Sequence, residues 1–74
     1  MVYWCGKPPV NCDAGGHKIE GEVFYDINFG RSWGYVCGGC FKRFQFDEKR
    51  NLGVGKGQKF EHEKETGKWL KTAG

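Results

Sequence analysis

Four cysteines, spaced as Cys5-x6-Cys12 and Cys37-Gly38-Gly39-Cys40, constrain this chain more than any other feature. Two sulfurs three positions apart reach one ion only if the backbone turns sharply between them, and Gly38-Gly39 permits that turn. Cys5 and Cys12 bracket the stiff segment Lys7-Pro8-Pro9-Val10, whose two ends can approach the same ion. With 74 residues and only 38% of them apolar, the chain falls short of what apolar burial alone can hold together. Aromatic residues reach 16%, so burial must rest on a few large rings, among them Trp4, Phe24, Trp33, Phe41, Phe44, Phe60 and Trp69. A structural metal offsets the shortfall, since closing such a site supplies roughly 10–16 kcal/mol of coupled folding energy.

The expectation is one structural Zn2+ held by Cys5, Cys12, Cys37 and Cys40. Four thiolates close every position of a tetrahedral ion, so it would be structural and not catalytic. His17, five residues after Cys12, is the alternative to Cys5 in a site of three cysteines and one histidine. His62 lies among Glu61, Glu63 and Lys64 and reads as a surface residue. Two disulfides are the competing use of four cysteines, and they belong to an oxidising compartment. Residues 1–5 lack the basic and apolar regions of a signal peptide, and no run approaches membrane-spanning length. Zinc, a cytoplasmic setting and no membrane partner are therefore expected.

Residues 1–18 read as irregular, rich in Gly, Pro, Asn and Asp. Val23, Tyr25, Ile27 and Phe29 alternate with Glu22, Phe24, Asp26 and Asn28, the pattern of a half-buried strand. Asn28 to Arg31 forms a turn, and Ser32 to Val36 returns toward Cys37. Residues 41–50 suit a short helix, with Phe41 and Phe44 on one face. A glycine-rich connector follows, and Lys59–Lys64 and Lys68–Thr72 form a second hairpin. A three-residue turn there pairs Lys64 with Lys68 and separates Trp69 from Phe60; a four-residue loop pairs Glu63 with Lys68 and brings those two rings together. The three-residue turn is expected, because Gly67 suits its bulge.

The fold class is a small α+β zinc-organised domain, treble-clef-like, with a β-hairpin, a short helix and a second C-terminal hairpin. A helix start at the second cysteine pair would stabilise thiolates through free amides and the helix dipole. A zinc ribbon is the alternative if residues 41–50 are extended. The chain reads as one domain over 1–74, with a zinc lobe at 1–50, a connector at 51–58 and the last hairpin at 59–74.

Four thiolates around a divalent ion would lower the formal charge of +3 by two. Residues 1–40 hold three basic and four acidic side chains, and residues 41–74 hold nine and five. Any basic surface is thus C-terminal. Lys42, Arg43, Lys56 and Lys59, with Trp69 as a ring, are the candidate nucleic-acid or partner contacts. Gly53-x-Gly55-x-Gly57-Gln58-Lys59 invites a phosphate reading, yet it lacks the Gly-Lys-Ser/Thr ending and follows a helix. A backbone packed closely against the zinc lobe, or a plain connector, explains it better. No catalytic constellation is present, so a monomeric binding module is expected rather than an enzyme.

The segments Ser32-Trp33-Gly34-Tyr35-Val36-Cys37-Gly38-Gly39-Cys40-Phe41, Leu52 to Phe60 and Gly67-Lys68-Trp69-Leu70-Lys71 resemble small zinc-ribbon-like proteins of tailed bacteriophages and prophages. The resemblance covers roughly the last 45 residues and a cysteine near the start. The six-residue gap after Cys5 departs from the Cys-x2-Cys expected there. The resemblance implies a phage origin and a bacterial cytoplasm, and no particular activity. Two functions follow as expectations: an accessory protein binding nucleic acid through its basic C-terminal half, or a module that docks on and modulates a bacterial host protein.

Overall fold

The alternating run at Val23–Asn28 becomes the central strand of an antiparallel sheet in the computed structural model, which describes residues 2–74. In chain order the elements are β1 (Asn11–Cys12), β2 (His17–Lys18), β3 (Val23–Asn28), β4 (Trp33–Cys37), α1 (Gly38–Arg43), α2 (Glu48–Asn51), β5 (Gly57–His62) and β6 (Trp69–Ala73). The main sheet runs β4-β3-β5-β6, and β1-β2 form a separate small ribbon. The fold is thus small α+β, mostly antiparallel strands in two sheets with short helices.

Both faces of the main sheet are covered, which corrects the expectation of a half-buried β3. On one face Tyr25, Ile27 and Val36 pack with Phe41, Leu52 and the three buried cysteines. Phe41 stacks on Tyr25 at 3.7 Å between ring centroids. On the other face Phe24 stacks on Phe60 at 5.1 Å, and Trp4 sets its edge against Phe24, Tyr35 and Phe60. Phe24, expected among the rings that carry the burial, is fully buried there. Trp4 arrives because residues 2–4 run along β6: the Trp4 amide donates to the Trp69 carbonyl, and the Lys71 amide to the Val2 carbonyl. This covers an otherwise open sheet edge.

The helix expected over 41–50 is two helices. After α1 the Phe46 amide donates to the Phe41 carbonyl and the Gln45 amide to the Lys42 carbonyl, the two bonds of a Schellman motif. Phe46 folds back on Phe41, with centroids 5.6 Å apart, as the apolar contact of that motif. Gln45 takes the left-handed position at φ 60°, where glycine is usual. Asp47 then caps α2 by accepting the Lys49 amide.

The glycine run is a hydrogen-bonded turn. The Lys56 and Gly57 amides both donate to the Gly53 carbonyl, and the Asn28 amide donates to the Lys56 carbonyl. Gly53 and Gly55 have positive φ, while a Cβ on Gly57 would lie 2.8 Å from Ile27 Cδ1 and 2.6 Å from the Asn51 carbonyl oxygen. Each glycine of the run therefore has a backbone reason to be there.

In the last hairpin His62 pairs with Trp69, and the Glu63 amide donates to the Lys68 carbonyl. The loop therefore has four residues, against the expected three. Thr66 decides it: its hydroxyl donates to the Glu63 carboxylate and accepts from the Lys68 amide. Trp69 consequently joins the Phe24 and Phe60 face. Among the described residues no helix is long and apolar enough to cross a membrane.

Candidate metal centre

Cys12, His17, Cys37 and Cys40 offer ligand atoms that all lie within 4.8 Å of one another. Two local structures supply them. Cys12 and His17 are directly paired across the β1-β2 ribbon, whose turn Asp13-Ala14-Gly15-Gly16 is closed by the Gly16 amide donating to the Cys12 carbonyl. Cys37 is the N-cap of α1, and Cys40 lies in its first turn. The ribbon is fastened to β4 by a reciprocal pair: the Asp13 amide donates to the Tyr35 carbonyl, and the Tyr35 amide donates to the Asp13 carboxylate. That pair brings the two halves of the cluster together.

The three cysteines are buried and His17 is solvent-accessible. His17 Nδ1 lies 2.7 Å from the Lys18 carbonyl, which can only accept, so Nδ1 carries the proton. Nε2 is then left with its lone pair facing Cys40 Sγ at 3.2 Å. An imidazole oriented through a carbonyl on one nitrogen and offering the other is the usual second-shell arrangement of a metal-binding histidine.

The sulfurs are unequal. Burial pushes the Cys12 thiol up, but the amides of Cys37 and Gly15 and the Cys40 and Cys37 thiols outweigh it, leaving the net shift downward. The Cys37 amide reaches Cys12 Sγ at 3.5 Å. Burial, with hydrogen bonds to Cys37 and Cys12, pushes Cys40 up to about 12. Without a cation nearby the cluster thus resists holding several thiolates at once; a divalent ion would remove that obstacle. Three sulfurs and one imidazole nitrogen are a soft donor set with the right count for a closed tetrahedral site.

Gly15 admits the histidine. A Cβ at that position would run into the His17 ring and lie 2.9 Å from Cys40 Sγ. A side chain there would wedge between two of the four donors.

Cys5, expected as a ligand, lies apart from the group. It is exposed, and its thiol lies 3.9 Å from the Tyr3 carbonyl. The reason is its neighbour: Trp4 is held on the far face of the sheet, and its indole N–H donates to the Lys7 carbonyl. His17 offers the fourth ligand atom of the group. All four cysteines are free thiols in the structure. His62 packs at a tilt against Trp69, with ring centroids 4.9 Å apart, and is outside the group.

The five residues expected to contact nucleic acid or a partner do not converge on one surface. Lys42 and Arg43 are exposed at the end of α1, and Lys56 is exposed on the glycine turn. Lys59 is only 21% exposed, lies 3.5 Å from the Glu48 carboxylate and sits over the Tyr25 ring. Trp69 is half-buried on the opposite face of the sheet, 4.9 Å from Phe24. Comparison with protein-family models, with curated proteins and with solved structures found no match.

Proposed function

We propose that this chain is a structural zinc module whose work is binding rather than catalysis. The observation that carries the reading is the convergence of Cys12, His17, Cys37 and Cys40, with His17 already oriented through Lys18. Zinc is the ion of choice because it accepts tetrahedral sulfur–nitrogen sites without geometric preference of its own. Three thiolates around it lower the formal charge of +3 by only one. A closed site leaves no position for an activated water, which argues against hydrolytic chemistry at the metal. The order of ligand ribbon, hairpin, and ligand pair at a helix start supports a treble-clef arrangement over a zinc ribbon.

Metal content and its consequence for folding test this reading. The purified chain should carry one zinc, and chelation should collapse the dispersed amide spectrum. A chain that stays folded after complete metal removal would overturn it.

A further inference from the structure

Among the described residues, six large apolar side chains are well exposed, and four of them lie at one end of the main sheet, Phe29 on the Gly34 side of it and Trp33 on the Tyr35 side. Phe29 (44% exposed) and Trp33 (50%) flank the β3–β4 turn, Phe44 (51%) follows α1, and Val54 tips the glycine turn. These loops meet. Phe46 lies 6.1 Å from Phe29 between ring centroids, which brings the link after α1 against the β3–β4 turn. Asn28 holds the glycine turn beside it, its side chain donating to the Gly55 carbonyl and its amide to Lys56.

Arg31 and Lys56 on these loops and Arg43 at the end of α1 are all exposed, and none is in an ion pair among the described residues. Two carboxylates lie nearby, and both are engaged by backbone donors. Asp13 accepts the Tyr35 amide, and Asp47 accepts the Lys49 amide. Unpaired cations beside exposed rings, with the local anions already partnered, form a surface complementary to a flexible polyanion that has flat apolar groups.

We propose that this end of the sheet binds single-stranded nucleic acid. Bases stack on Phe29 and Phe44, while Arg31, Arg43 and Lys56 neutralise phosphates. A duplex fits poorly: its bases are already stacked, and helices of six and four residues offer no element to enter a groove. The inference rests on the reading of the chain as a binding module, and not on which ion it holds. It moves the interface away from Lys59 and Trp69, which are committed to intramolecular contacts.

The test is fluorescence anisotropy of labelled oligo(dT) and oligo(rU), about 15 nucleotides long, titrated with the zinc-loaded chain. Log affinity should fall with log salt at a slope of about −2 for three phosphate contacts on a single strand. Phe44→Ala should weaken binding roughly tenfold or more, Trp33→Ala on the other face of the sheet should leave it near the parent value, and Lys56→Ala should lower the slope by about 0.7. All of these positions are exposed, so zinc content and melting temperature should stay at the parent values. That control separates failure of this inference from failure of the zinc reading. Affinity weaker than about 100 μM at low salt, equal or tighter binding to a matched duplex, or indifference to Phe44→Ala would overturn it.

Discussion

His17 Nε2 and Cys40 Sγ lie 3.2 Å apart across 23 positions of sequence. One belongs to a two-residue strand and the other to the first turn of a helix, and no hydrogen bond of regular secondary structure joins those two elements. Their approach depends on the Asp13–Tyr35 pair and on the absence of a side chain at Gly15. The cluster is therefore a tertiary feature, and its members respond to substitution differently.

Replacement of Cys5 by Ala should leave metal stoichiometry unchanged, whereas Cys12→Ala should abolish tight binding. Cys5 is exposed and outside the group; Cys12 is buried within it. Elemental analysis of the two purified variants distinguishes them. Equal zinc loss in both would restore Cys5 as a ligand.

Gly15→Ala inserts a methyl group against the His17 ring and Cys40 Sγ. Disturbing the surroundings that orient a metal ligand typically costs about 10–100-fold in metal affinity, and a loss of that order is expected. A competition titration with a chromophoric chelator reads this directly, and parent-like affinity would show that the ribbon relaxes freely.

Gln45→Gly should stabilise the chain. Gln45 holds a left-handed conformation at φ 60°, which costs an ordinary L-residue about 1–2 kcal/mol. Glycine's greater freedom in the unfolded chain returns part of that, so a net gain of about 0.5–1 kcal/mol is expected. In a domain of this size that raises the melting temperature by several degrees. An unchanged or lower value counts against the Schellman geometry.

Trp4→Ala removes a ring edge that touches Phe24, Tyr35 and Phe60 together. Large aromatic truncations cost about 3–5 kcal/mol, and the lower end suits a half-buried indole. Denaturant unfolding of the zinc-loaded variant should register the loss. A change under about 1 kcal/mol, the size expected of a surface substitution, would mean that residues 2–4 do not cover the sheet in solution.

Asp26 on β3 is partly buried, and burial raises its pKa. A carboxyl whose folded pKa lies above its unfolded value favours the fold while protonated, and that advantage is lost as pH rises through the folded pKa. At neutral pH the charged form is thus a liability. Asp26→Asn should raise the melting temperature at pH 7, with the gain shrinking as pH falls toward the carboxylate range. A gain that grows on acidification would reverse the sign and refute it.

Much of the site was legible in the residues. Cys37-Gly38-Gly39-Cys40 pointed to a sharp turn beginning a helix, and Cys37 caps α1. The fourth member of the cluster was hidden because spacing alone ranks Cys5 above His17. What decides between them is the packing of Trp4 against Phe24 and Phe60 on the far side of the sheet. The Asp13-Ala14-Gly15-Gly16 turn was the available signal, since it folds His17 directly opposite Cys12. The last hairpin slipped by one residue for a comparable reason: Gly67 suits either loop length, and the Thr66 hydroxyl bonds select the longer one. The break after α1 was hidden, because the return of Phe46 onto Phe41 depends on a left-handed glutamine that an L-residue disfavours.

X-ray absorption at the zinc edge of the purified, zinc-loaded chain tests the site most directly. Three sulfurs at about 2.3 Å and one nitrogen at about 2.0–2.1 Å are the expected first shell. Four sulfurs would return Cys5 to the ion in place of His17, and a shell dominated by oxygen would contradict a structural zinc site altogether.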